Sequence, residues 1–500
     1  MPSQRMPRLT GLAAAAALVL AGASLPNLAH AQGSGATALW NSNCISCHGA
    51  NAQGGNAQSM LDDEWLLGAT DRDLFDATKK GIVESGMPAY GETLKDEQIW
   101  ALVVHIRELR YADKRERLGS PKPNGDGVFT TQHEKFRIER VVTSGLETPW
   151  SVDFVGADAP EGMVSDAMLV TNRSGAVKVW KDGKLSGAIE GTPGVRSRGQ
   201  GGMMDVAPHP EYATNGWVYL SFSDSNGRNG FTKVVRGRVR ADGSGWKWTD
   251  EEVIFKADER HYTGGDIHFG SRIVFQRRDN TADGPWMMFF CMGERGMMDL
   301  AQRLDRPNGK VYRFHDDGRI PDDNPFVGER EAYTGIWSYG HRNPQGLCFD
   351  LEGRLWDTEH GPRGGDELNL VQRAHNYGWP LVSFGINYSD APFRTPWPRE
   401  DQGITMPVFV WLPSIAACGL DTVRPGPGGE AFPAWKGDLV AGGLAGQTVE
   451  RLRISGETVV EREELIHGTG RVRDVVTGPD GSVYVVLNQP DDVIRLVPAE

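Results

Sequence analysis

The chain has 500 residues, and 53 Lys and Arg against 66 Asp and Glu leave a formal net charge of −13. That balance excludes a nucleic-acid binder, which needs a basic surface to displace phosphate counterions. Its 63 glycines exceed the usual share of about 7% and favour a turn-rich β protein, while five cysteines are too few for a disulfide scaffold.

The amino terminus reads as an export segment. Arg5 and Arg8 precede an apolar run from Leu12 to Leu20, and Ala29-His30-Ala31 offers small residues for cleavage before Gln32. A spanning helix needs about 20 apolar residues, more than this run supplies, and no later stretch is long and apolar enough. The expectation is a signal peptide over residues 1–31 and an exported, periplasmic protein with no stable membrane span.

Cys44-Ile45-Ser46-Cys47-His48 is a C-x-x-C-H run, the attachment pattern of c-type haem. Two thiols one helical turn apart can add to the two vinyl groups on one porphyrin edge, and His48 then reaches the iron. A zinc site would want a second ligand pair nearby, and the sequence has none. Downstream, Gly86-Met87-Pro88 places Met87 in a loop stiffened by proline, as the sixth ligand; Met60 is the rival but lacks that loop context. A thioether axial ligand raises the haem potential and suits an electron acceptor. From Leu94 to about Leu109, Ile99, Leu102, Val103, Ile106 and Leu109 recur at helical spacing, with Asp96 and Glu97 in the first turn. Residues 35–111 resemble a small, all-α class I cytochrome c.

Residues 112–133 are charged, turn-rich and without apolar periodicity, and read as a linker. From 135 to 500, short apolar or alternating runs are broken by Asn215-Gly216, Asp182-Gly183 and Asp480-Gly481, which predicts consecutive antiparallel hairpins. That much hairpin chain predicts a six-bladed β-propeller with long functional loops. Cys291, Cys348 and Cys418, each among apolar or small residues, read as buried free thiols.

Glycine mixed with polar residues marks four segments where backbone is set to approach a ligand. They are Arg198–Met204, Ile267–Arg272, Trp337–Gly346 with Glu359–Glu367 close behind, and Arg471–Asp474. The runs Tyr339-Gly340-His341-Arg342-Asn343-Pro344-Gln345-Gly346 and His360-Gly361-Pro362-Arg363-Gly364-Gly365-Asp366-Glu367 are long. From Pro149-Trp150-Ser151 onward the large domain resembles the soluble quinoprotein aldose dehydrogenases, the glucose/sorbosone dehydrogenase family. The resemblance implies a six-bladed propeller using pyrroloquinoline quinone (PQQ) and Ca²⁺. It places the general base on His268, cofactor contacts on Arg342 and Asn343, and a substrate-side polar residue on Gln200. It places backbone ligands for Ca²⁺ at Gly361 and Pro362, and guanidiniums for the cofactor carboxylates at Arg471 and Arg473.

Residue chemistry fits. A trianionic planar quinone needs guanidiniums, whose fork pairs with carboxylates. Ca²⁺ accepts carbonyl and carboxylate oxygens and acts as a Lewis acid. A histidine near neutrality can take a hydroxyl proton, and Arg342 can stabilise negative charge developing on the cofactor. Three positions depart from the family pattern: Ala445 stands where many members have lysine, Ile267 replaces an acidic residue before the base, and Glu294 replaces an aspartate. The expected activity is oxidation of an aldose, or a related alcohol or aldehyde, to a lactone, with electrons passing to the chain's own haem and on to a downstream acceptor. A lactonase-like hydrolase or a non-catalytic binding propeller with an appended cytochrome are the competing readings.

Overall fold

Helices come first along the chain: α1 (Ala36–Asn43), α2 (Ile45–His48), α3 (Asp71–Lys80) and α4 (Asp96–Leu118). The computed structural model describes residues 35–500 apart from 63, 67, 399, 427 and 428, so the export segment read over 1–31 lies outside the described residues. Helix α3, which apolar spacing did not reveal, is set by a capping box: the Thr70 hydroxyl accepts from the Asp73 amide at 3.1 Å, and the Asp73 carboxylate accepts from the Thr70 amide at 3.0 Å.

Helix α4 corrects the linker boundary. It does not stop near Leu109 but runs to Leu118, into the stretch read as a linker over 112–133. The charged run is helical because Ala, Lys, Arg and Glu are good helix formers. Asp113 and Arg117 pair at i,i+4, and Arg115 forks onto Glu464 of the large domain at 2.8 and 2.9 Å. Only the segment 119–128 connects α4 to the first strand, Phe129–Thr130.

Six sheets follow among the described residues, five of four strands and one of five. Their innermost strands, in order, are Pro149–Val155, Met203–Pro208, Ile273–Arg277, Pro344–Phe349, Ala417–Thr422 and Arg471–Thr477. Each blade continues outward by antiparallel neighbours. The sixth closes the ring: Lys135–Val142 pairs with Asp492–Pro498, setting Phe136 opposite Pro498. This is the six-bladed propeller expected after the small helical domain. Central strands such as Ala167–Asn172 and Val483–Asn488 are buried along their whole length, because each sheet has a neighbouring blade on both faces. Val152, Val170, Val486 and Val493 fill the seam between the first and sixth blades. Cys291, Cys348 and Cys418 are buried and free. No helix among the described residues is long and apolar enough to cross a membrane.

The helical domain is packed against the propeller. Amphipathic spacing predicts one buried face on α4, yet every residue from Ile99 to Ile106 is buried. Ile99, Leu102 and Val103 serve the helical domain's own core. Trp100 turns the other way, donating its indole N–H to the Phe384 carbonyl at 3.2 Å and meeting Trp397 edge-on at 5.2 Å. Gly364 lies beneath α4 with φ +80°, and any side chain there would come within 3.4 Å of Val104.

Candidate functional site

In the helical domain, the Cys47 and His48 amides both reach back to the Cys44 carbonyl, at 3.2 and 3.0 Å, so the two cysteines stand one helical turn apart. His48 keeps Nδ1 buried without a partner, and burial lowers its pKa. The loop carrying Met87 folds back over this segment: Met87 pairs with Ile82, and the Tyr90 hydroxyl donates to the Asn43 carbonyl at 2.8 Å. Met60 instead packs against the domain core with Trp65 and Leu61.

In the propeller, the sequence-predicted residues gather at one end of the ring, where the innermost strands begin. Gln200 precedes the second inner strand, His268 the third, and Arg342 and Asn343 the fourth, while Arg471 opens the sixth. Two further turns reach the same end. Gly293–Gly296 follows the second strand of blade three, and Gly361–Gly365 joins the second and third strands of blade four.

His268 is held from three directions. Its backbone has φ +55°, in the left-handed region that non-glycine residues seldom occupy. Its amide donates to Gln200 Oε1 at 2.7 Å, and its Nδ1 hydrogen-bonds Glu294, a carboxylate with no solvent exposure. Next door, the Arg295 guanidinium stacks 3.4 Å over Phe269 and donates to the carbonyls of Gly265 and Ile267. Gly293 has to be glycine, because a Cβ there would sit 2.3 Å from the His268 carbonyl. Burial lowers the His268 pKa, and the Glu294 hydrogen bond works against that shift. The ring is therefore neutral near pH 7 with its other nitrogen free to accept a proton.

Opposite, Arg342 is 6% exposed; its amide donates to Glu359 and its guanidinium to the His360 carbonyl at 3.1 Å, leaving Nε buried without a partner. Asn343 Oδ1 is used internally, accepting from the Gly270 amide at 3.1 Å. Arg473 touches Cys418 Sγ at 3.7 Å, and its Nε is also buried without a partner. His360 lies among them: burial, Arg342, Arg473 and His268 push its pKa down to about 3, and its Nε2 has no partner. Among the described residues, the guanidiniums of Arg342, Arg471 and Arg473 meet no carboxylate. Gln200 stays exposed at the rim.

Residues 146–495 match the Glucose / Sorbosone dehydrogenase family, and residues 31–106 match the family described as Cytochrome C oxidase, cbb3-type, subunit III. The chain belongs to the glucose/sorbosone dehydrogenase family. It is 39% identical over 356 residues to the aldose sugar dehydrogenase YliI of Escherichia coli (strain K12), covering 70% of this chain and 89% of that protein. A glucose dehydrogenase crystal structure superposes with a TM-score of 0.65 at 35% identity, over 73% of this chain and 99% of that one. The PQQ-bound aldose sugar dehydrogenase of Streptomyces coelicolor gives 0.55 at 26% identity, over 73% and 99%. The chain is thus a sugar dehydrogenase propeller joined to a cytochrome c domain.

The residues of this family member fit the groups that its site implies. Unpartnered buried guanidinium nitrogens on Arg342 and Arg473 suit an anionic planar cofactor. Beside Gly361 and Pro362, burial raises Glu359 to about 8 and Glu367 well above the usual carboxylate range. The Glu367 carboxylate near this turn suits a hard divalent ion, while Glu359 spends its oxygens on the Arg342 amide and the His341 ring. Asp366 is otherwise engaged, accepting from the amides of Gly361 and Ala417, each at 2.9 Å. The third cluster, His341 with Asp357 and Glu359, is sealed: the ring stacks on Tyr377 at 4.6 Å and bonds Glu359 at 2.8 Å. Ala445 faces Tyr111 of α4 across a small cavity.

Deeper along the inner strands, Arg272 faces two carboxylates. It bonds Asp205 of blade two at 2.8 Å, Asp474 of blade six at 2.8 and 3.0 Å, and the Ser151 hydroxyl of blade one at 3.2 Å. Sequence reading had included Arg272 in a motif without a role, since its partners come from three other blades. The roles of Glu294, Arg295 and His360 are not legible in the sequence because their contacts join separate turns at the end of a blade. The His-Phe-Gly-x-Arg and Gly-Glu-Arg-Gly runs carried the signal.

Proposed function

We infer that this protein is an exported, periplasmic quinohaemoprotein that oxidises an aldose, or a related alcohol or aldehyde, to a lactone and passes the electrons to its own haem c and then to a downstream acceptor. PQQ with Ca²⁺ would supply the hydride acceptor. Arg342, Asn343, Arg471 and Arg473 would hold the quinone, and Gly361 and Pro362 the Ca²⁺. His268, neutral and braced by Glu294, takes the proton of the anomeric hydroxyl. Arg342 steadies the negative charge that develops opposite. Gln200 orients the base loop from the substrate side. Cys44, Cys47, His48 and Met87 would hold the haem.

The observation that carries the reading is the set of guanidiniums left without carboxylates around a neutral histidine. A hydrolase or a passive binding propeller gives those cations no task. The test follows haem absorption while aldoses are added to the full chain, with and without PQQ and Ca²⁺. Reduction that requires sugar, quinone and calcium together is expected, and His268→Asn should slow it by about 10²–10⁴-fold. Haem that dithionite reduces but no aldose does would overturn the dehydrogenase assignment.

A further inference from the structure

The turn bordering the candidate cofactor cleft also touches the cytochrome. Gly361 and Pro362 line the cleft beside Arg342, and the next residue, Arg363, points out of the propeller into α4. Its guanidinium forks onto Glu108 at 2.8 and 2.6 Å and bonds Asp390 at 2.7 Å. Asp390 in turn accepts from the first amides of α1: Ala36 to its carbonyl at 2.8 Å and Thr37 to its side chain at 2.9 Å. Arg363 and Asp390, paired with each other on two successive loops of blade four, therefore hold both ends of the cytochrome fold. Fork-shaped arginine–carboxylate pairs fix orientation as well as distance.

Behind this clamp the cytochrome interior is continuous. The His48 ring lies 6.1 Å from Trp40, and Trp40 lies 5.6 Å from His105 on α4. His105 is buried at the domain boundary, close enough to Glu108, Asp390 and Arg363 to feel their charges. Trp40 and His105 thus stand between the proposed haem ligand and the Arg363 clamp.

We propose that Arg363 is a positioning residue for electron transfer: with Glu108 and Asp390 it locks the cytochrome onto the cleft-bordering turn and so sets the rate at which the haem is reduced. The proposal rests on the dehydrogenase reading above. Oxidation of the hemiacetal to lactone releases two electrons and two protons. The ferric haem takes one electron at a time, so a soluble one-electron acceptor, such as a c-type cytochrome, must reoxidise it once within each turnover and again after it. Electron tunnelling falls steeply with distance, so a fixed dock matters more than contact area.

The test uses the full haem-loaded chain and Glu108→Lys, which sets two cations against each other at the boundary, with Glu108→Asp as the conservative variant. Three readouts separate the ideas: hydrogen exchange at the Ala36 and Thr37 amides, single-turnover haem reduction by an aldose, and aldose oxidation with a dye that accepts electrons directly from the propeller. In Glu108→Lys we expect exchange to rise and haem reduction to slow at least about tenfold. Dye-linked turnover should stay within twofold of the parent. Glu108→Asp, and the charge swap of Glu108→Lys with Arg363→Glu, should recover most of the haem rate. Exchange that rises with haem reduction unchanged would overturn the positioning role, and unchanged exchange would overturn the lock itself. A parent chain that oxidises no aldose even with dye would defeat the dehydrogenase reading instead, and the exchange result would still decide the lock.

Discussion

Arg272 and Arg342 are both buried guanidiniums at the propeller axis, and they differ in what faces them. Arg272 meets Asp205, Asp474 and Ser151, and so joins blades one, two, three and six. Arg342 meets one backbone carbonyl and the ring of Trp379 at 5.1 Å, with no carboxylate among the described residues. Burying a charge without a partner is costly. The fold sets two carboxylates against Arg272 and none against the guanidiniums of Arg342, Arg471 and Arg473, the arrangement that the proposed anionic cofactor would need. Partner inventory, more than burial, separates the arginines that hold the ring from those that serve the cleft.

Breaking the paired member should cost the most. Asp474→Ala leaves Arg272 half-matched in the channel, and removing one partner of a buried ion pair costs about 3–5 kcal/mol. Thermal unfolding of the full chain should show a midpoint lower by several degrees. Arg342→Met should do the reverse: the midpoint holds or rises, while quinone affinity, read by titration, falls about 10–100-fold, the worth of a charged hydrogen bond. If Arg342→Met destabilised as much as Asp474→Ala, the division between the two groups would fail. The smallest effect concerns pH. Burial holds the His268 pKa below its ordinary 6.5, and the base works only when neutral, so the acid limb of kcat/KM should lie below pH 6.5. Glu294 favours the charged ring, so Glu294→Gln should lower that pKa further and move the limb to more acidic pH, by about one unit or less.

What could be read from sequence was whatever is local. Cys44-x-x-Cys47-His48, the Gly86-Met87-Pro88 loop and the Asp-Gly hairpins each carry their meaning within a few residues, and the mouth motifs stand where the inner strands begin. Partnerships across long separations were not legible. Trp100 and Val104 fell outside the apolar face of α4 because the surface that buries them, around Phe384, is 284 residues away. Glu294 reads from sequence only as a departure from the family pattern, yet it braces His268. The charged run after Leu109 looked like a tether, since only Glu464 explains why Arg115 belongs to a helix.

The segment 119–128 that follows α4 is short, and it enters Phe129–Thr130, the edge strand that pairs with the ring-closing strand Lys135–Val142. Should the cytochrome lift from its seat, it remains leashed within a few tens of ångströms, at an effective concentration on the order of millimolar. Dilution therefore cannot separate the two domains. Ionic strength can, because screening weakens the Arg363 and Arg115 contacts without lengthening the leash. The two domains always meet, with salt rather than protein concentration governing how often they are aligned; for the electron transfer proposed above, ionic strength is then the variable to change.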